Sequence, residues 1–73
     1  MAPLWVYKSR EIEQKLKTLG FECVRQKGSH RQYKHPDGRM TTVPVHRGCD
    51  VSPILCRKIA SDIGLSPQEF AQI

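Results

Sequence analysis

The sequence predicts an α+β fold of order α-β-β-β-α, a three-stranded antiparallel sheet with two helices on one face. Three observations carry that expectation. Two segments repeat apolar residues at helical spacing, and each is stopped by a glycine. Between them lie three short stretches divided by Gly28-Ser29 and by His35-Pro36-Asp37-Gly38. Each helix carries a single apolar stripe, so both need a common surface, which one face of an antiparallel sheet supplies. At 73 residues the chain is expected to be one domain, 1–73. A fold of that size buries only ~60% of the surface its unfolded chain exposes. It has one small core and no room for a deep cofactor pocket, so any chemistry sits near the surface.

The first helix starts near Ser9, the expected cap, with Glu11 and Glu13 toward its positive end and Lys15 and Lys17 toward its negative end. Ile12, Leu16 and Leu19 form its stripe, and Gly20 ends it. Residues 21–27 read as a strand, and Gly28-Ser29 as a tight turn. A second strand covers 30–35, and a third covers 39–45. The His-Pro-Asp-Gly between them has proline at the second and glycine at the fourth position, as type I turns prefer. Pro44 cannot donate to a ladder, which makes the third strand an edge or a bulge there. Ser52 caps the second helix, with Pro53 at its first position. Leu55, Ile59 and Ile63 are its stripe with Ile54 alongside, and Gly64 stops it. Ser66 and Glu69 stand at capping-box spacing before a last helical turn pinned by Phe70.

The formal net charge is +5, and residues 22–47 account for +4 of it. A positive field focused on part of a small domain attracts polyanions, of which RNA and DNA are the commonest. The three cysteines, Cys23, Cys49 and Cys56, lack the spacing of a zinc knuckle, and the histidines do not complete one. No metal and no cofactor are expected. Free thiols used as small apolar residues suit a reducing, cytoplasmic setting. The apolar run near the start is too short for a signal-peptide core or a membrane span, so no membrane partner is expected.

Strand alternation sorts the polar residues. Tyr33 is the apolar candidate for the helix-covered face of the second strand. His30 stands an odd offset away and projects to the open face with Gln32 and Lys34, whereas His35 falls on Tyr33's side as part of the turn. In the third strand Val43 and Val45 point inward, which sends Thr42 and His46 outward, with Arg47 just beyond. An exposed strand histidine often has no task. Here Gly28 and Ser29 precede it, Arg25 and Lys27 lie upstream, and Lys34 shares its face. Glycine allows close approach of a ligand, and the N–H groups around it can receive phosphate oxygens. A histidine near its ordinary pKa of ~6.5 can both take and give a proton. Those are the parts that metal-free RNA cleavage needs: removal of the 2′-OH proton, cations around the phosphorane, and protonation of the leaving 5′-oxygen.

From Lys8 to Phe70 the chain resembles the HicA toxin family, also called YcfA-like proteins. The resemblance rests on Leu-Gly-Phe at 19–21, Gly-Ser-His at 28–30, His-Pro-Asp-Gly at 35–38, Val-Pro-x-His at 43–46 and Gly-Leu-Ser-x-x-Glu-Phe at 64–70. After the histidine the chain has Arg31 and Gln32, where members of the family commonly have a second histidine and an aliphatic residue. The resemblance implies a fold like the double-stranded-RNA-binding domain. It also implies an mRNA interferase, the toxin of a type II toxin-antitoxin pair, that cleaves mRNA without a metal and is masked by a HicB-type antitoxin. The catalytic residue it implies is His30. Arg25, Lys27, Lys34, Gly28, Ser29, His46 and Arg47 are then the candidate RNA contacts, with His46 also a candidate second proton carrier. Two other readings use the same basic face: a non-catalytic RNA-binding module, and a subunit that docks an acidic protein.

Overall fold

The computed structural model describes residues 7–45 and 50–73. The elements run β1 (Tyr7–Lys8), α1 (Ser9–Thr18), β2 (Glu22–Lys27), β3 (His30–Lys34), β4 (Met40–Pro44), β5 (Asp50–Val51), α2 (Pro53–Asp62) and α3 (Pro67–Ala71). β2, β3 and β4 form an antiparallel sheet in that order, so the α+β class and the α-β-β-β-α core order hold. A separate two-stranded ladder pairs Tyr7 with Val51 and Lys8 with Asp50, tying the start of α1 to the start of α2. Two-residue strands carry no periodicity, which is why the sequence did not announce this pair.

One core joins Ile12 and Leu16 of α1, Phe21, Tyr33 of β3, Val43 of β4, Val51, and Cys56, Ile59, Ala60 and Ile63 of α2, with Phe70 of α3 closing it. Both longer helices therefore cover the sheet face that carries Tyr33 and Val43. Phe70 packs edge-on against Tyr7 with ring centroids 5.7 Å apart. The Lys15 ammonium donates to the carbonyls of Phe70 (3.2 Å) and Ile73 (3.0 Å), holding the C-terminal turn to α1.

Three local expectations are corrected. Ser9 is the first helical residue and not the cap; it is buried, and its hydroxyl donates to the Pro44 carbonyl at 2.6 Å. Its hydroxyl serves a long-range carbonyl instead of accepting from a local backbone N–H, and at the start of α1 the Glu11 carboxylate accepts from the Lys8 backbone N–H at 2.9 Å. Ile54 is 81% exposed, because the buried stripe of α2 runs through Cys56, Ile59, Ala60 and Ile63. Glu13, expected only to balance the helix dipole, is buried against β3. The Ser66–Glu69 capping box forms as expected, with reciprocal bonds of 2.9 and 3.1 Å.

Candidate nucleic-acid interface

The turn between β2 and β3 is the two-residue loop Gly28-Ser29, closed by the pair Lys27 and His30. Gly28 takes φ +58°, and no other residue type there has a positive φ, the arrangement of a type II′ turn. A Cβ on Gly28 would meet nothing within 4 Å, so the space above the turn is open. The Ser29 carbonyl accepts from the Val45 N–H at 2.6 Å, which anchors the loop to the end of β4. The Ser29 hydroxyl has no partner among the described residues.

A short loop of this kind fixes register, and register fixes faces. Lys27 stands opposite His30, Arg25 opposite Gln32, and Glu22 opposite Lys34; on the other edge, His30 pairs with Pro44 and Gln32 with Thr42. Cross-strand partners share a face. His30, Arg25, Lys27 and Lys34 are thus gathered on the face away from the helices, as alternation anticipated for His30 and Lys34. Val24 is an extra residue between Cys23 and Arg25, a break in the ladder. It lets Cys23 stay on Tyr33's face while Arg25 and Lys27 take His30's face. Every residue of β2 is exposed, so these cations are open to solvent. Among the described residues Arg25, Lys27 and Lys34 make no ion pair, and the His30 ring makes no hydrogen bond.

Two other basic residues of this region, Arg31 and Arg39, have been spent structurally. Arg31 turns to the helix side, where its guanidinium donates to Glu13 at 2.7 and 3.2 Å. The bond to the Glu13 carboxylate, and then the charge itself, hold Arg31 above its ordinary pKa. The Tyr33 hydroxyl donates to the same carboxylate, and burial first, then that bond, push the Tyr33 pKa well up. Arg39 grips Asp37 at 2.8 Å and the Ile63 carbonyl at 2.6 Å. His35 is a turn residue: its Nδ1 accepts from the Asp37 N–H at 3.1 Å, and its ring stacks at a tilt on Phe21, centroids 5.0 Å apart. Gly20 answers it from the other side, since a Cβ there would lie 3.2 Å from the His35 Nε2. His46 and Arg47 lie outside the described residues.

His30 also lines a groove of about 200 Å³ between β4 and α2. Thr42 and Pro44 border it from the strand, and Leu55, Lys58, Ile59 and Asp62 from the helix. The sequence reading missed these helix residues because they stand 25 or more positions from His30, and only the packing of α2 against β4 brings them near. Of the cysteines, Cys56 is buried as expected and its thiol pKa is raised by burial, whereas Cys23 is exposed and Cys49 is outside the described residues. Among the described residues no three His, Cys, Asp or Glu side chains gather as a metal site. No helix among them is long and apolar enough to cross a membrane.

The class these features define is a small α+β domain, helix-packed on one sheet face and cationic on the other. The family profile described as the HicA toxin of bacterial toxin-antitoxin matches residues 9–65. The chain belongs to the HicA toxin family, and membership in a toxin-antitoxin family implies an antitoxin as its partner. No curated protein matches the chain significantly.

Proposed function

We propose that this chain is a metal-independent endoribonuclease, an mRNA interferase acting in the cytoplasm, whose cleavage of mRNA halts translation and whose antitoxin is of the HicB type. The observation that supports this is the placement of an exposed His30 on the same face as Arg25, Lys27 and Lys34, which make no ion pair among the described residues. His30 acts as general base on the 2′-OH. The 2′-oxygen bonds to the adjacent phosphorus, the bond from phosphorus to the 5′-oxygen breaks, and that oxygen takes up a proton. Arg25, Lys27 and Lys34 hold the backbone and offset the charge that grows on the phosphorane. The open turn at Gly28-Ser29 lets a phosphate approach closely, and the Ser29 hydroxyl, which has no partner among the described residues, donates to it. His46 and Arg47 extend the candidate contact set beyond the described residues.

One observation favours a second reading, a non-catalytic RNA-binding module. Catalytic bases are commonly oriented by a third group, and no protein group among the described residues orients the His30 ring. One experiment separates the two readings. Purified wild type and His30→Ala are incubated with mRNA in the presence of a chelator, and RNA affinity is measured in parallel. The interferase reading expects cleavage by the wild type only, with affinity nearly equal in both. Binding without any cleavage by the wild type selects the binding module.

A further inference from the structure

We propose that Ser9 is a positioning residue for His30, acting through the peptide group that joins Pro44 to Val45. The proposal rests on the reading of His30 as the general base.

Two hydrogen bonds meet on that one peptide. Its carbonyl, on Pro44, accepts from the buried Ser9 hydroxyl at 2.6 Å. Its N–H, on Val45, donates to the Ser29 carbonyl at 2.6 Å. A peptide unit is planar, and this one is trans, so its C=O and N–H point to opposite sides. The start of α1 grips one side of the plane, and the Gly28-Ser29 turn is held from the other. Hydrogen bonds in series polarise one another, so loss of the Ser9 bond loosens the bond to Ser29.

What this clamp holds is the site. Ser29 directly precedes His30, and His30 stands opposite Pro44 in the ladder. Gly28, at φ +58°, gives the turn the backbone freedom of glycine, which an outside anchor offsets. The His30 ring makes no hydrogen bond among the described residues, so its aim is set by its backbone. A general base works only within about 2.6–3.2 Å of the proton it takes. A displacement of about 1 Å can cost ~100-fold in rate. The cations assigned to RNA, Arg25, Lys27 and Lys34, take no part in the clamp. Ser9 therefore acts on turnover and leaves binding alone.

The test compares wild type with Ser9→Ala, Ser9→Thr and Thr41→Val, each shown to be folded by circular dichroism. Thr41→Val is the control for softening in general. It removes another buried hydroxyl of β4, one that donates to Asp62 at 3.0 Å, at the Tyr33 rung of the ladder. Ser9→Ala should lower kcat for mRNA cleavage about tenfold with KM within about twofold. Its Val45 amide should exchange with solvent about fivefold faster, and its His30 ring resonances should move. Ser9→Thr, which keeps the hydroxyl, should restore all three, and Thr41→Val should hold kcat within about twofold. Should Ser9→Ala not fold, Ser9→Cys, close in size but a weak donor, takes its place. An unchanged kcat in Ser9→Ala overturns the proposal while the wild type still cleaves. Equal losses of kcat in Ser9→Ala and Thr41→Val overturn it as well. A wild type that never cleaves sinks the interferase reading alone. The Val45 exchange and the His30 resonances then decide the clamp, which stands if Ser9→Ala moves both and falls if it moves neither or only one.

Discussion

The two faces of the β2-β3-β4 sheet spend the same kind of side chain in opposite ways. On the helix side Arg31 meets a carboxylate, Glu13, which Tyr33 also binds. On the open side Arg25, Lys27 and Lys34 make no ion pair among the described residues, although Glu22 stands opposite Lys34 in the ladder. Arg31 and His30 are neighbours in sequence, yet one belongs to the packing and the other to the surface. Basic composition alone therefore says little. What marks a polyanion surface is the subset of cations that the fold leaves unpaired on one side.

The largest expected effect comes from removing that subset. The double variant Lys27→Ala/Lys34→Ala should lose roughly 50-fold in RNA affinity at low salt, with the salt dependence falling by about two single-strand phosphate contacts. Arg31→Ala, with its guanidinium on the other face, should leave affinity and salt slope where they were. Titrations of RNA binding at several salt concentrations check both, and a comparable loss in Arg31→Ala would erase the distinction between the faces.

A stability measurement probes the other side of the comparison. Glu13→Ala strips the Tyr33 hydroxyl of its buried acceptor and should cost about 2 kcal/mol in denaturant unfolding. A loss below a few tenths would mean that the network contributes nothing to the core.

The smallest effect is a pH dependence. Burial and the bond to Glu13 raise the Tyr33 pKa in the folded state. Above the ordinary tyrosine pKa of ~10 the unfolded chain then releases a proton that the folded chain keeps. The unfolded state binds fewer protons, so stability falls as pH rises past that point and is fully present below it. Tyr33→Phe should cost about 1 kcal/mol at neutral pH and flatten the alkaline decline, as followed by thermal unfolding between neutral and strongly alkaline pH.

Much of this arrangement was legible in the chain itself. The stripes of Ile12 and Leu16, and of Ile59 and Ile63, called for helices on a shared face, and the parity of Tyr33 and His30 separated the two sides of β3. The two-residue turn then set Lys27 beside His30. Other features had no local signature. Valine is a good strand former, so nothing at Val24 announces a break in the ladder. The Ser9 hydroxyl looks like a cap until β4 brings the Pro44 carbonyl to it. Asp62 and Lys58 reach the neighbourhood of His30 through the packing of α2 against the edge strand, a distance that no window of sequence spans.

The central claim is that the open face acts on RNA through His30. Its most direct test is a time course of mRNA cleavage by wild type and His30→Ala at equal, RNA-saturating concentration, with chelator present and fragment ends mapped. Discrete wild-type fragments that are absent with His30→Ala, at matched RNA affinity, are the predicted result. Identical fragments from both proteins, or none from either, would contradict it.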